Sequence, residues 1–304
     1  MKPTVSPDTR RQVLELRRGH SLRDVAARTG LPLGTVKTLC SRSGAFRDNQ
    51  SQRELFTLPP IQASTSTALS VPELPPQDVV TGDQEVDAVL WLRSVIATGQ
   101  PALIEKAMLA AKRIKTPFRE LADRYMKHLV SARPGDFTVM FQTMGFDDLE
   151  GLAKSSIEKL TRQHEAVARF GSVDNLFANT PAEKFCIDAL AGLKFDIYES
   201  KDNAKVEKRF EAHPDLLPHT LSDCLHERAY WTDLYWLRSA ASQNAGDHWP
   251  EAQARDDFVF RSLARIRART KEEAVAVLRY LADDYMDQDE TNAILMNLVG
   301  SPGQ

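Results

Sequence analysis

The sequence predicts an all-α protein in three stretches: a small helical domain over 1–47, a flexible linker over 48–82 and a multi-helix body over 83–304. Three observations carry this. Apolar residues recur at helical spacing behind recognisable caps, and no strand-length alternation competes with them. Residues 48–82 hold Pro59, Pro60, Pro72, Pro75 and Pro76 around a Ser/Thr run and keep neither period. Charge is divided between the ends: ten of the 39 Lys/Arg but three of the 42 Asp/Glu fall within 1–47, so a head of +7 precedes a remainder of −10. Such a division points to a polyanionic partner for the head alone.

In the head, Ser6 caps a helix whose first residue is Pro7, with Val13, Leu14 and Leu16 as its apolar side and Gly19 as its stop. Ser21 opens a second helix, with Asp24 three residues on in a capping-box-like position and Leu22, Val25 and Ala26 inward. Gly30 permits a left-handed turn, Pro32 suits the start of a third helix, and Val36 and Leu39 face back onto the second. Small Ala26, Gly30 four residues later, then Val36 and Leu39, is the spacing that a helix-turn-helix needs to present its second helix to a major groove.

The stretch SLRDVAARTGLPLGTVKTLCSRSG resembles the helix-turn-helix of sigma-factor region 4 and of many phage, transposon and plasmid regulators, over about residues 7–45. No counterpart of the sigma-factor core-binding region accompanies it. The exposed face of the third helix is expected to comprise Leu33, Gly34, Thr35, Lys37, Thr38, Ser41 and Arg42. On that reading Thr35 and Lys37 meet phosphate or a base edge, Thr38 and Ser41 reach bases, and Arg42, Arg11, Arg18 and Arg23 hold phosphates of double-stranded DNA. One such module reads few bases, so useful specificity calls for a homo-oligomer presenting two or more heads.

In the linker, Leu55, Phe56 and Leu58 are read as apolar residues of a loose tether rather than as a docking element. The body is read as successive helices. Asp83 caps one with Val86, Val89, Leu90 and Ile96 inward and Gly99 as its end. Pro101 starts another, using Leu103, Ile104, Ala107, Met108 and Ala111; Thr116-Pro117 starts a third, using Phe118, Leu121, Tyr125 and Leu129. A long helix covers 148–170 on Leu149, Leu152, Ile157, Leu160 and Val167. Thr180-Pro181-Ala182-Glu183 and Thr270-Lys271-Glu272-Glu273 are capping boxes, the first opening a helix to about Tyr198. Residues 221–237 form an aromatic-rich helix and 293–299 a last one, and Arg133-Pro134-Gly135 offers a boundary within the body.

Candidate chemistry is sparse. His213, His219, Cys224, His226 and Glu227 lie close in sequence, but their spacing fits no zinc pattern. The acidic string Asp283, Asp284, Asp287, Asp289 and Glu290 lacks the glycine and register of an EF-hand, and reads as a solvated helix end. Tyr230, Trp231, Tyr235 and Trp236 read as core or subunit interface. No Gly-Lys-Ser/Thr phosphate loop and no Gly-x-Gly-x-x-Gly is present, so neither an enzyme nor a cofactor is expected, and no metal. Cys40, Cys186 and Cys224, odd in number and far apart, fit a reducing cytoplasm, and neither a secretory signal nor a membrane span is expected.

Together these imply a sequence-specific DNA-binding protein, foremost a transcriptional regulator of a mobile genetic element whose body oligomerises or recruits a partner such as RNA polymerase. A phage DNA-packaging subunit resembling small terminases, and an accessory factor in plasmid partition, replication or transposition, stand as alternatives.

Overall fold

A computed structural model describes residues 5–44, 46–62, 73–193, 203–242, 248–283 and 288–299. Among them the fold is all-helical, with no strand. In chain order the helices are α1 (Pro7–Gly19), α2 (Leu22–Thr29), α3 (Leu33–Ser43), α4 (Gln50–Leu55), α5 (Gln84–Ile96), α6 (Pro101–Ala111), α7 (Phe118–Ala132), α8 (Val139–Gln142), α9 (Leu149–Phe170), α10 (Val173–Phe177), α11 (Pro181–Ala189), α12 (Asn203–Glu211), α13 (Leu221–Ala241), α14 (Pro250–Ser262), α15 (Lys271–Asp283) and α16 (Gln288–Val299), with a 3-10 turn at Pro214–Leu216. No described helix is long and apolar enough to cross a membrane.

The chain forms two compact units. The first is Met1–Leu58 with Ala178–Tyr235 and Gly246–Gln304; the second is Pro59–Phe177 with Trp236–Ala245. This differs from the expected division at 47, 82 and 133–135. The first unit is discontinuous in sequence, and the middle of the expected body is a unit by itself.

In the first unit, Val13, Val25 and Val36, one from each of α1 to α3, are fully buried, with Leu16, Leu22, Ala26, Leu31, Leu39 and Cys40 packed around them. Beyond the head, Leu190, Phe210, Leu221, Cys224, Phe258, Val259, Leu263, Val277 and Ile294 join α11 to α16 in one core. The expected box at Thr180 is formed: Thr180 N donates to Glu183 Oε2 at 2.8 Å, and Glu183 N to Thr180 Oγ1 at 3.2 Å. The helix it opens ends at Ala189, and residues 194–202 lie outside the described ones. At Thr270 only half of the box appears. Glu273 N donates to Thr270 Oγ1, but the Glu273 carboxylate accepts from Arg269 N at 2.7 Å and from Ser222 N at 3.0 Å, which ties α15 to the start of α13.

In the second unit, Asp83 Oδ1 accepts from Glu85 N and Val86 N, and its carboxylate also pairs with Arg124. Leu92, Val95 and Ile96 pack on Leu103, Ile104, Ala107, Ala111 and Leu149; Val86 and Val89 pack on Leu121 and Phe146. Gly99 is required where it stands: its φ is 71°, and a Cβ there would overlap the Ser156 carbonyl of α9. α9 has its expected bounds but a rotated stripe. Leu149, Ser156 and Ala166 are buried, whereas Ile157 and Val167 are exposed. One residue is 100° on a helix, so the buried stripe passes beside these two apolar residues and takes small ones at the close approach.

The ends of the expected linker are built in. Residues 63–72 lie outside the described ones. Before them, Phe56 and Gln52 are fully buried and Asn49 nearly so. After them, Trp91 Nε1 donates to the Pro75 carbonyl at 2.9 Å, and Asp87 accepts from Thr81 N and Gly82 N. Residues 50–55, expected to be linker, form α4, whose buried residue, Gln52, is polar and so leaves no apolar period.

Candidate nucleic-acid interface

The head is positioned by its caps. Ser6 Oγ accepts from Thr9 N at 3.1 Å and Ser21 Oγ from Asp24 N at 3.2 Å. Ser21 Oγ also donates to Asp24 Oδ2 at 2.6 Å, and that hydrogen bond holds the Asp24 carboxyl below the usual carboxylate range. α2 ends at Gly30 with φ 69° and α3 at Gly44 with φ 72°, both left-handed. Between these glycines α3 divides cleanly. Val36, Leu39 and Cys40 face the core, while Gly34, Lys37, Thr38, Ser41 and Arg42, at i, i+3, i+4, i+7 and i+8, are exposed on the other side. Burial pushes the Cys40 thiol up, so it stays protonated.

Of the residues expected to touch DNA, Lys37, Thr38, Ser41 and Arg42 therefore share one face. Thr35 is half-buried at its edge, and Thr38 Oγ1 donates to Gly34 O at 2.8 Å, so it can accept from a base-edge donor as it stands but must exchange that bond to donate. Arg11 and Arg23 are exposed on α1 and α2; Arg11 lies 3.7 Å from Asp8 in a solvated pair that contributes little. The side chain of Arg18 lies outside the described ones. Two arginines were missed. Arg10 and Arg47 join Arg42 around a cleft of about 530 Å³, and Arg47 Nη2 donates to Ser41 O at 2.8 Å. Arg47 follows the stop at Gly44, and only a fold that turns the chain back along α3 brings it there.

The cleft's other wall is Asp48, Asn49, Gln50, Pro214, Asp215 and His219. Here the head is clamped to the rest of its unit. A Cβ on Gly44 would overlap the His219 ring, so the close approach needs glycine as much as the positive φ does. Asn49 N donates to Asp223 Oδ2 at 3.0 Å, and Asn49 Nδ2 to the carbonyls of Asp215 and Leu217 at 2.9 and 2.8 Å. Arg53 Nε meets Asp223 Oδ1 at 2.7 Å, and Asp48 lies between Arg53 at 3.1 Å and Arg269 at 2.8 Å. Phe56 packs edge-on to Tyr230 and Trp231.

Beneath this lies a buried ion pair. Arg255 and Glu227 are both fully buried; Arg255 donates to Glu227 at 2.7 and 2.9 Å and to the Leu216 carbonyl at 2.8 Å, and Gln52 Nε2 donates to Glu227 at 2.7 Å. The rings of Phe56, Phe185, Phe210 and Phe258 stand 5.0–5.7 Å from the guanidinium carbon. Burial works against the Arg255 charge, and the Glu227 carboxylate more than offsets it, so Arg255 stays charged.

The close-set potential ligands are scattered by the fold. His219 is on Gly44, Glu227 on Arg255, His226 beside the Arg53 carbonyl at 3.2 Å and His213 edge-on to Phe185. Cys224 is fully buried, its thiol pushed up by that burial. Among the described residues no group of three His, Cys, Asp or Glu could hold a metal. Asp284 and Asp287 of the acidic string lie outside the described residues. Tyr230 and Trp231 are core, while Trp236, 46% exposed, lies under Arg162 in the second unit.

The chain matches no family model, no curated protein and no solved structure. Two exposed cations and two hydroxyls on the α3 face are groups that can hold an anion.

Proposed function

We propose that the protein binds double-stranded DNA in a sequence-specific manner, with α1–α3 as a helix-turn-helix whose α3 enters the major groove, and that it regulates transcription. The observation that carries this reading is the exposed α3 face, where Lys37, Thr38, Ser41 and Arg42 stand together opposite a core of valines. Lys37 and Arg42 neutralise phosphates, the hydroxyls of Thr38 and Ser41 reach base edges, and Arg10, Arg11, Arg23 and Arg47 extend the positive surface. The charge division supports it: the +7 of residues 1–47 is where the face lies. Assignment to a mobile element rests on the resemblance of the head alone.

A genome-wide cross-linking map of the tagged protein tests the proposal, with Lys37→Ala/Arg42→Ala as control. Sharp peaks at promoters that vanish in the variant are the expected result. A single cluster at one packaging or origin region would replace transcription by packaging or replication. Peaks equally strong in the variant would refute the α3 face as the reader.

A further inference from the structure

The second unit exposes three large apolar side chains within eight residues: Phe137 is 86%, Phe141 73% and Met144 70% exposed. Val130, near the end of α7, is 52% exposed. The three follow at i, i+4 and i+7 through a segment kept helically wound by Val139 N to Asp136 O and Phe141 N to Thr138 O, so they line one side of it. The segment is anchored. Val139 within it and Phe146 just after it are buried, and Arg93 Nη1 donates to the carbonyls of Gly145 and Phe146. The apolar side chains are thus held outward by a backbone that is itself fixed.

The polar groups around the stripe close on each other. Arg133 reaches Asp136 at 3.5 Å and Gln142 at 2.6 Å, and Thr138 donates to Asp136. Beside Phe137 and Phe141 the charge of Arg133 is thus already matched by Asp136, and this paired arrangement suits a partner carrying the same one. At about 150–250 Å² per aromatic side chain, Phe137 and Phe141 leave about 300 Å² in water. Met144 and Val130 bring this to about 500 Å² per copy, the upper range for a monomer's largest patch. Two copies face to face would remove about 1,000 Å², where specific interfaces begin.

We propose that this stripe is a self-association surface and that its occupant is the same stripe of a second copy, related by a twofold axis. Its size makes the dimer concentration-dependent, and a duplex with two half-sites would tighten it by holding both copies at high effective concentration. The purpose of the dimer rests on the DNA-binding reading; its existence does not.

Sedimentation velocity of the full chain over about 1–100 µM, the weak end of protein association, tests it directly. The wild type is expected to climb from one chain toward two, while Phe137→Ser/Phe141→Ser stays at one with unchanged circular dichroism and melting. A wild type that remains a single chain at the top of the range, one that grows past two, or a double variant that associates like the wild type would overturn the proposal. A single-site duplex separates the two readings. Phe137→Ser/Phe141→Ser should bind it as the wild type does, whereas Lys37→Ala/Arg42→Ala should not. Equal binding by all three would count against the α3 face and leave the sedimentation result intact.

Discussion

The head and the clamp that holds it, both in the first unit, are stabilised by opposite means. The head packs three buried valines and leaves Arg10, Arg11, Arg23, Lys37 and Arg42 in water. The clamp buries Asp223, Glu227 and Arg255 completely and surrounds the last with four aromatic rings. About 40 residues bury too little apolar surface to be secure alone, so the head borrows stability from residues 170 positions further along the chain. On the proposed reading the division keeps function and stability on separate side chains: the face assigned to DNA carries little of the fold, and the buried charges that orient it lie away from that face.

The largest effects fall on the clamp. Glu227→Ala leaves the Arg255 charge buried without its carboxylate and should cost about 3–5 kcal/mol in urea unfolding. Phe56→Ala should cost a similar ~3–5 kcal/mol by opening a cavity among Phe185, Tyr230 and Trp231. If residues 48–58 were a loose tether, Phe56→Ala would be silent. Gly44→Ala comes next: the left-handed backbone costs about 1–2 kcal/mol, and displacing the His219 ring adds to it. A melting temperature within error of the wild type would remove the Gly44–His219 contact from the account.

His219 supplies a smaller effect that depends on pH. Burial lowers its pKa below the ordinary histidine value; Asp223 and Asp215 oppose that shift and Arg47 reinforces it. A histidine depressed on folding contributes stability that is present above its unfolded pKa and lost as the pH falls through the folded one. The urea midpoint should therefore drop between about pH 7.5 and about pH 5.5 by more in the wild type than in His219→Gln. Equal drops would place the acid sensitivity elsewhere.

Much of this arrangement was legible in the sequence, and the unread part has a common cause. Ser6, Ser21, Gly30 and the Thr180–Glu183 box act within a few residues of themselves, so their spacing stated their geometry. The α3 face follows from the 3.6-residue period with Val36 and Leu39 inward. What escaped depends on partners distant in the chain. Residues 48–58 show no apolar period because two of the three buried positions, Asn49, Gln52 and Phe56 at i, i+3 and i+7, are polar and are satisfied by Asp223 and Glu227. Ile157 and Val167 looked inward on α9, but close approach at Ser156 and Gly99 sets the rotation of that helix. The return of the chain to the first unit at Ala178 leaves no local mark, so the expected body over 83–304 joins parts of both units.

The smallest effect on stability belongs to the face itself, and there the central claim is exposed. Lys37→Ala/Arg42→Ala replaces two solvent-exposed side chains and should change unfolding by less than about 0.5 kcal/mol. The same variant should lose much of its affinity for duplex DNA. Equilibrium binding to a duplex across a salt series measures this most directly. With two phosphate contacts gone, the slope of log affinity against log salt should flatten by about 1.8 while the fold stays intact. An unchanged slope and affinity in a folded variant would contradict the assignment of α3 as the DNA-reading helix.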